Sequence, residues 1–254
     1  MKIGIITAMG SERSQIEKLL EVVPGEAKGP GEAGPDKVSS GMTGESSTSY
    51  QVGRLNGNEI VLVQSGIGKV NAALGAADLI RRFHPDCIVS TGVAGGIDTS
   101  LSVMDVVVGQ EVVYHDVDCG IGNEYGQVQG LPPRFRCDER LFARALSLQA
   151  DVRIRGGLIC SGDQFISERK RLDAIKARFP EGLAVEMESG AIAQTCYLFK
   201  VPFLAFRIIS DVPSDDDSTA HYTRYENFWQ VMAEKSFAAT KAFLESLPAS
   251  LGEK

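Results

Sequence analysis

Histidine and tryptophan are scarce in this chain, three and one among 254 residues. The string His115-Asp116-Val117-Asp118 resembles a metal-ligand run, but no second cluster of ligand-type residues accompanies it. A structural or subunit-contact role suits it better, and neither a metal nor an organic cofactor is expected. No CxxC pair occurs among the five cysteines Cys87, Cys119, Cys137, Cys160 and Cys196. An odd count without a short-range framework fits free thiols in a reducing cytoplasm, not a disulfide scaffold. A basic surplus is missing too: the net charge of −7 argues against nucleic acid as the main partner, because phosphate demands a basic face. The one dense basic cluster, Glu168-Arg169-Lys170-Arg171, lies in an amphipathic stretch and reads as a solvated helix face. The apolar opening run from Met1 to Thr7 is too short for a signal peptide or a membrane span. A soluble cytoplasmic protein with no membrane partner is expected.

What is present is a large apolar fraction, 43% of residues, which can fill the core of one α/β domain over residues 1–254. Strand-like runs are expected at 2–7, 59–64, 86–91, 104–112, 155–161, 183–186 and 202–209. Amphipathic helical stretches fall at 11–22, 68–83, 138–149, 168–178, 187–199 and 226–246. This alternation predicts a central, mixed and mainly parallel sheet with helices on both faces. Residues 24–49 are rich in Gly, Pro, Ser and Glu and almost devoid of large apolar side chains. They read as a flexible surface insertion, not a domain boundary, since strand-like sequence resumes at Tyr50. No internal repeat is present.

The segment from Phe203 to Val212 is an apolar run that ends in Arg207 and Asp211. A strand buried on both faces would deliver its last polar residues to the carboxyl end of the sheet, where open α/β folds bind ligands. A carboxylic acid there would have its pKa raised by desolvation, toward a value useful for a general acid. Alternatively, Asp211 caps a turn or pairs with Arg207. Two glycine-rich segments follow strands: Ser65-Gly-Ile-Gly68-Lys69 and Ser90-Thr91-Gly92-Val93-Ala94-Gly95-Gly96. The first has Asn71 where a dinucleotide fingerprint needs glycine, and it lacks the P-loop pattern. Its amides can still face a ligand, and the second segment can form a tight turn beside the same cleft. Phe165, in Ser161-Gly-Asp-Gln-Phe165-Ile166, can stack on a flat heterocycle or simply fill the core. Glu186 and Glu188, flanking Met187, either complement a helix dipole or accept the vicinal hydroxyls of a ribose. Several acids, an aromatic and no metal suit cleavage of an N-glycosidic bond, whose transition state needs one acid and one base.

Six blocks now stand in order: Ile5-Ile-Thr-Ala-Met9-Gly-Ser-Glu12, Ser65–Lys69, Thr91–Gly96, Ser161–Ile166, Val185-Glu-Met-Glu188 and Arg207-Ile-Ile-Ser210-Asp211. In them the chain resembles the bacterial 5′-methylthioadenosine/S-adenosylhomocysteine nucleosidases of the nucleoside phosphorylase superfamily, over everything except residues 24–49. The resemblance implies a three-layer αβα sandwich and a homodimer whose partner chain closes the 5′ pocket. It implies an adenine nucleoside as the small-molecule substrate. Asp211 would protonate adenine N7, and Glu12, helped by Arg207, would take a proton from the water attacking C1′. Glu188 would hold the ribose hydroxyls with Met187 against the sugar. Phe165 would stack on adenine while the Ile166 backbone reads its edge. Met9 and Ile67 would line the sugar and 5′ region, with Val93, Glu186 and Ser210 completing the binding site.

Three departures bear on specificity. Val93 stands where these enzymes often carry a hydroxyl residue that places the water. The stretch Asp116–Tyr125 lacks the aromatics expected near the 5′-thio pocket, and the segment 213–225 after Asp211 is longer than usual and can serve as a lid. A nucleosidase for another 5′-modified nucleoside, such as 5′-deoxyadenosine or a futalosine-type compound, is therefore one alternative. A phosphorylase is another, but that branch commonly has an Arg just ahead of the glycine segment, where this chain has Ser90. A non-catalytic nucleoside-binding protein would not need both Glu12 and Asp211, and a dinucleotide-dependent oxidoreductase would need a glycine fingerprint.

Overall fold

Ile- and Val-rich runs build the sheet, because stiff β-branched side chains favour extended backbone and pack on both faces. The computed structural model describes residues 1–21, 50–213, 223, 225, 226, 228 and 233–251. The expected insertion at 24–49 lies outside the described residues, as does most of the proposed lid. The strands are β1 (Lys2–Thr7), β2 (Tyr50–Leu55), β3 (Asn58–Gln64), β4 (Cys87–Gly96), β5 (Val106–Tyr114), β6 (Phe135–Arg136), β7 (Ile154–Ser161), β8 (Gly182–Glu186) and β9 (Phe203–Asp211). The helices are α1 (Gly10–Glu17), α2 (Lys69–Phe83), α3 (Glu139–Leu146), α4 (Arg169–Arg178), α5 (Ser189–Phe199) and α6 (Ala233–Ser246). None of the described helices is long and apolar enough to cross a membrane.

The strands run in the order β2-β3-β1-β4-β8-β7-β5-β6, and β9 pairs with both β4 and β5. The sheet is mixed as expected, with β1–β3, β1–β4, β4–β9, β5–β7 and β7–β8 parallel and the other pairings antiparallel. Because β9 has two partners, β4, β8, β7, β5 and β9 close into a ring, which the local sequence pattern did not foretell. Closure leaves β9 without a free edge, and all nine of its residues are buried.

Three expectations on local structure are corrected. The glycine-rich segment from Thr91 to Gly96 continues β4 as strand instead of turning, with a register shift between Ala94 and Gly95. Its glycines permit close approach: a Cβ on Gly96 would lie 3.0 Å from Val212 Cγ2. Helix α1 ends at Glu17, well short of residue 22, since the chain turns back and Glu21 bridges antiparallel to Arg54. Strand β2 starts at Tyr50, where strand-like sequence was expected to resume, whereas β6, which no apolar run marks, adds an unforeseen antiparallel partner to β5 at the other end of the sheet order. Helices α2 and α5 stop cleanly, at His84 and Lys200, in the left-handed conformation (φ 49° and 59°) that ends many helices.

Ile3, Ile5, Ile60, Leu62, Ile88 and Phe206 lie in the main core, where the Phe206 ring stacks on Phe243 of α6 with centroids 5.1 Å apart. A second cluster of Ile97, Val113, Leu158, Leu172 and Phe179 lies under α4. This packing holds the carboxyl ends of β1, β4, β7, β8 and β9 around one opening.

Candidate active site

Polar residues just past those strand ends line a cavity of about 620 Å³, open mouth included. Met9 and Glu12 come from the β1–α1 junction, Ile67 from the loop before α2, and Val93 from β4. Phe165 and Ile166 follow β7, Glu186, Met187 and Glu188 join β8 to α5, and Ser210 and Asp211 end β9. Eleven of the twelve residues expected in the site thus share one wall or another of the cavity; the twelfth, Arg207, lies beneath it.

Glu12 is the third residue of α1, placed to reach back over the helix start as in a capping box. Its Oε2 accepts from the Ala8 and Met9 amides at 2.9 and 3.1 Å, and its Oε1 accepts from the Val93 amide at 3.0 Å. Burial raises its pKa above the ordinary carboxylate value, opposed by the Arg207 charge and by those three N–H groups. Gly92 makes this packing possible, for a Cβ at that position would collide with the Glu12 carboxylate and stand 2.9 Å from Arg207 Nη1.

Arg207 is only 2% exposed, in the middle of β9. Its Nη2 donates to Glu186 Oε2 at 2.7 Å, Ser90 Oγ at 2.7 Å and Ser189 Oγ at 2.9 Å. Its Nε has no hydrogen-bond partner among the described residues. Glu186 also accepts from the Glu188 and Ser189 amides, so the same carboxylate complements the start of α5 and neutralises a buried guanidinium. Glu188 accepts from the Gly68 amide at 2.9 Å. Burial, reinforced by the charge of Glu186, pushes its carboxyl up to about 7. Asp211 Oδ1 accepts from Ser210 Oγ at 2.7 Å.

The apolar side of the cavity includes Met9, Ile67, Ile166, Met187 and Tyr225. Phe165 is 48% exposed, which removes the core-filling alternative, and meets Tyr225 edge-on with centroids 5.7 Å apart. The Tyr225 hydroxyl lies 3.3 Å from Met9 Sδ. Tyr225 and Gln164 were not singled out from the sequence, although both belong to segments that were. Tyr225 stands just before the helical stretch expected from residue 226, where no apolar periodicity marks it. The glycine segment before α2 also differs from expectation: the Gly68 and Lys69 amides are taken by Glu188 and Asp163, not left for a ligand. His115 is buried, and that burial lowers its pKa, while Asp116 pairs with Lys69 at 2.9 Å. Among the described residues no group of three or more His, Cys, Asp and Glu is arranged to hold a metal.

The family model of the phosphorylase superfamily matches residues 2–245. A 5′-methylthioadenosine/S-adenosylhomocysteine nucleosidase of Geobacillus sp. is 38% identical over 97% of this chain and 99% of its own. The crystal structure of the nucleosidase of that name from Colwellia psychrerythraea, in complex with adenine, superposes with a TM-score of 0.82 at 37% identity, covering 98% of this chain and 97% of that one. The enzyme from Neisseria meningitidis in complex with methylthio-immucillin-A gives 0.82 at 36% identity, covering 97% and 99%. The chain belongs to the 5′-methylthioadenosine/S-adenosylhomocysteine nucleosidases of the phosphorylase superfamily.

Proposed function

We propose that this enzyme hydrolyses the N-glycosidic bond of 5′-methylthioadenosine and S-adenosylhomocysteine, releasing adenine and the 5′-thioribose. The observation that carries the reading is the make-up of the cavity. Glu12, Glu188 and Asp211 line it together with Phe165, and among the described residues no Lys or Arg does. A phosphorylase must hold an oxyanion, which calls for cationic donors at the surface of the site. Here Arg207 is buried and engaged by Glu186, and Ser90 is buried beneath it. The acidic wall suits an oxocarbenium-like transition state instead.

In the proposed reaction Asp211 donates a proton to adenine N7, so that the C1′–N9 bond breaks with its electron pair going to a neutral base. Water adds to C1′, and Glu12, whose pKa burial raises, takes the water's proton. Arg207 acts from below through its charge on Glu12 and through Glu186. Glu188 receives the ribose hydroxyls, Met187 packs on the sugar, Phe165 stacks on the base, and the Ile166 backbone reads its edge. Met9 and Ile67 face the sugar and its 5′-substituent, while Val93 offers its amide to Glu12 and no hydroxyl to the water.

The αβα layering, a single domain and a homodimer belong to the same reading. The dimer is supported by apolar side chains that α2 and α5 leave in solvent, Val70, Leu74 and Leu198 among them, and by the fully exposed Ile121. Five free cysteines, four of them buried, fit a cytoplasmic setting.

The test is adenine release from methylthioadenosine in phosphate-free buffer and again with phosphate. Phosphate-independent release with free methylthioribose is expected. Release only with phosphate, yielding the ribose 1-phosphate, would overturn hydrolysis in favour of phosphorolysis. No release in either buffer would overturn this substrate assignment.

A further inference from the structure

The string His115-Asp116-Val117-Asp118 has no part in the chemistry above, yet its second residue stands between two segments that bound the cavity. Asp116 accepts the Lys69 ammonium at 3.0 and 2.9 Å on its two oxygens, and the Asp163 amide at 2.8 Å. The Lys69 amide in turn donates to Asp163 Oδ1 at 2.7 Å. The three residues therefore form a closed triangle joining the start of α2 to the segment after β7. Each joined segment continues directly into the site. Gly68, preceding Lys69, donates its amide to Glu188 Oε1 at 2.9 Å, and Phe165 follows Asp163 by two residues.

The approach is close by design of the backbone. A Cβ on Gly162 would lie 2.6 Å from the His115 ring and 2.8 Å from Asp116 Cγ. The Lys69 and Asp116 side chains are 24% and 11% exposed, so solvent and salt screen this pair less than a surface bridge. The ammonium also sits 5.1 Å from the centroid of the Tyr114 ring, which fixes it from a second side.

We propose that Asp116 is a positioning residue that sets the spacing between the sugar-holding Glu188 and the base-stacking Phe165. This rests on the reading of the cavity as a nucleoside site. A substrate carrying both base and ribose gains from that fixed spacing, whereas either part alone does not. Replacing the carboxylate by an amide leaves the shape but frees Lys69 to turn toward water, and the triangle opens.

Asp116→Asn in the full chain is the experiment, read by steady-state adenine release and by thermal unfolding. KM for methylthioadenosine should rise about tenfold, while kcat stays within about threefold, as for a lost binding geometry. Asp116→Glu should recover part of the loss. Combined with Glu188→Gln, the effect on KM should be well below the product of the two single effects, because both act on one linkage. An unchanged KM with a lowered Tm, or fully multiplicative effects, would overturn the proposal. If Asp116→Asn fails to fold, Lys69→Met opens the same triangle from its other end and is read identically. Amide hydrogen exchange needs no turnover: exchange at both Asp163 and Gly68 should quicken in Asp116→Asn, and an unchanged Gly68 would overturn the linkage. Absence of adenine release by the wild-type enzyme would overturn the nucleosidase reading alone, and exchange would still decide the role of Asp116.

Discussion

Three backbone N–H groups and a buried guanidinium surround Glu12, and they oppose the desolvation that raises its pKa. The balance leaves its pKa above the ordinary carboxylate value, which moves a proton acceptor toward the working range. A base works only when ionised, so activity should fall as pH drops through that raised value. The acid limb of the kcat profile should therefore lie above the ordinary Glu pKa of ~4.3. Glu188 also titrates high, so the limb should persist in Glu188→Gln; its disappearance there would transfer the limb to Glu188. Asp211→Asn, nearly isosteric, should lower turnover by at least ~10²–10⁴ with an unchanged unfolding curve. Activity within a few-fold of wild type would remove Asp211 from the acid role. Most of this constellation could be picked out beforehand because each acid follows an apolar run or opens a helix. Arg207 was harder to place: a cation beside a strand end looks ligand-facing in sequence, and only the pairing with Glu186 turns it inward.

Strand β9 carries both Arg207 and Asp211, and its rigidity depends on what covers it. The Phe206–Phe243 stack ties it to α6, across a sequence separation that no local pattern reveals. Phe243→Ala should destabilise the fold by ~3–5 kcal/mol, measured by urea unfolding, since a fully buried ring leaves a cavity. A loss under ~1 kcal/mol would mean that α6 collapses onto the vacated space. Strands such as β1 and β3 were evident from their apolar runs, because burial on both faces demands such a run. The segment Thr91–Gly96 was not, because glycine signals permissiveness and not direction; neighbours on both sides make it a strand. The double pairing of β9 was also hidden, as pairing is a non-local property.

At the scale of the molecule, the exposed apolar side chains of α2 and α5 are the surface on which the proposed dimer would form. Val70→Glu combined with Leu74→Glu should convert a dimer to monomers in sedimentation equilibrium. A wild-type protein that sediments as a monomer would refute the dimer outright. Closure of the sheet ring has a further consequence, for synthesis. β9 pairs with β4 across more than a hundred residues, so long-range contacts dominate and folding is expected to be slow. While the ribosome is still making residues before Phe203, β4 and β5 lack the strand that lies between them, and both present bare hydrogen-bonding edges. The nascent chain is thus most vulnerable to sticking to its neighbours just before β9 emerges. Arg207 and Asp211 arrive with the strand that ends this hazard, so the event that seals the sheet also delivers two residues of the site.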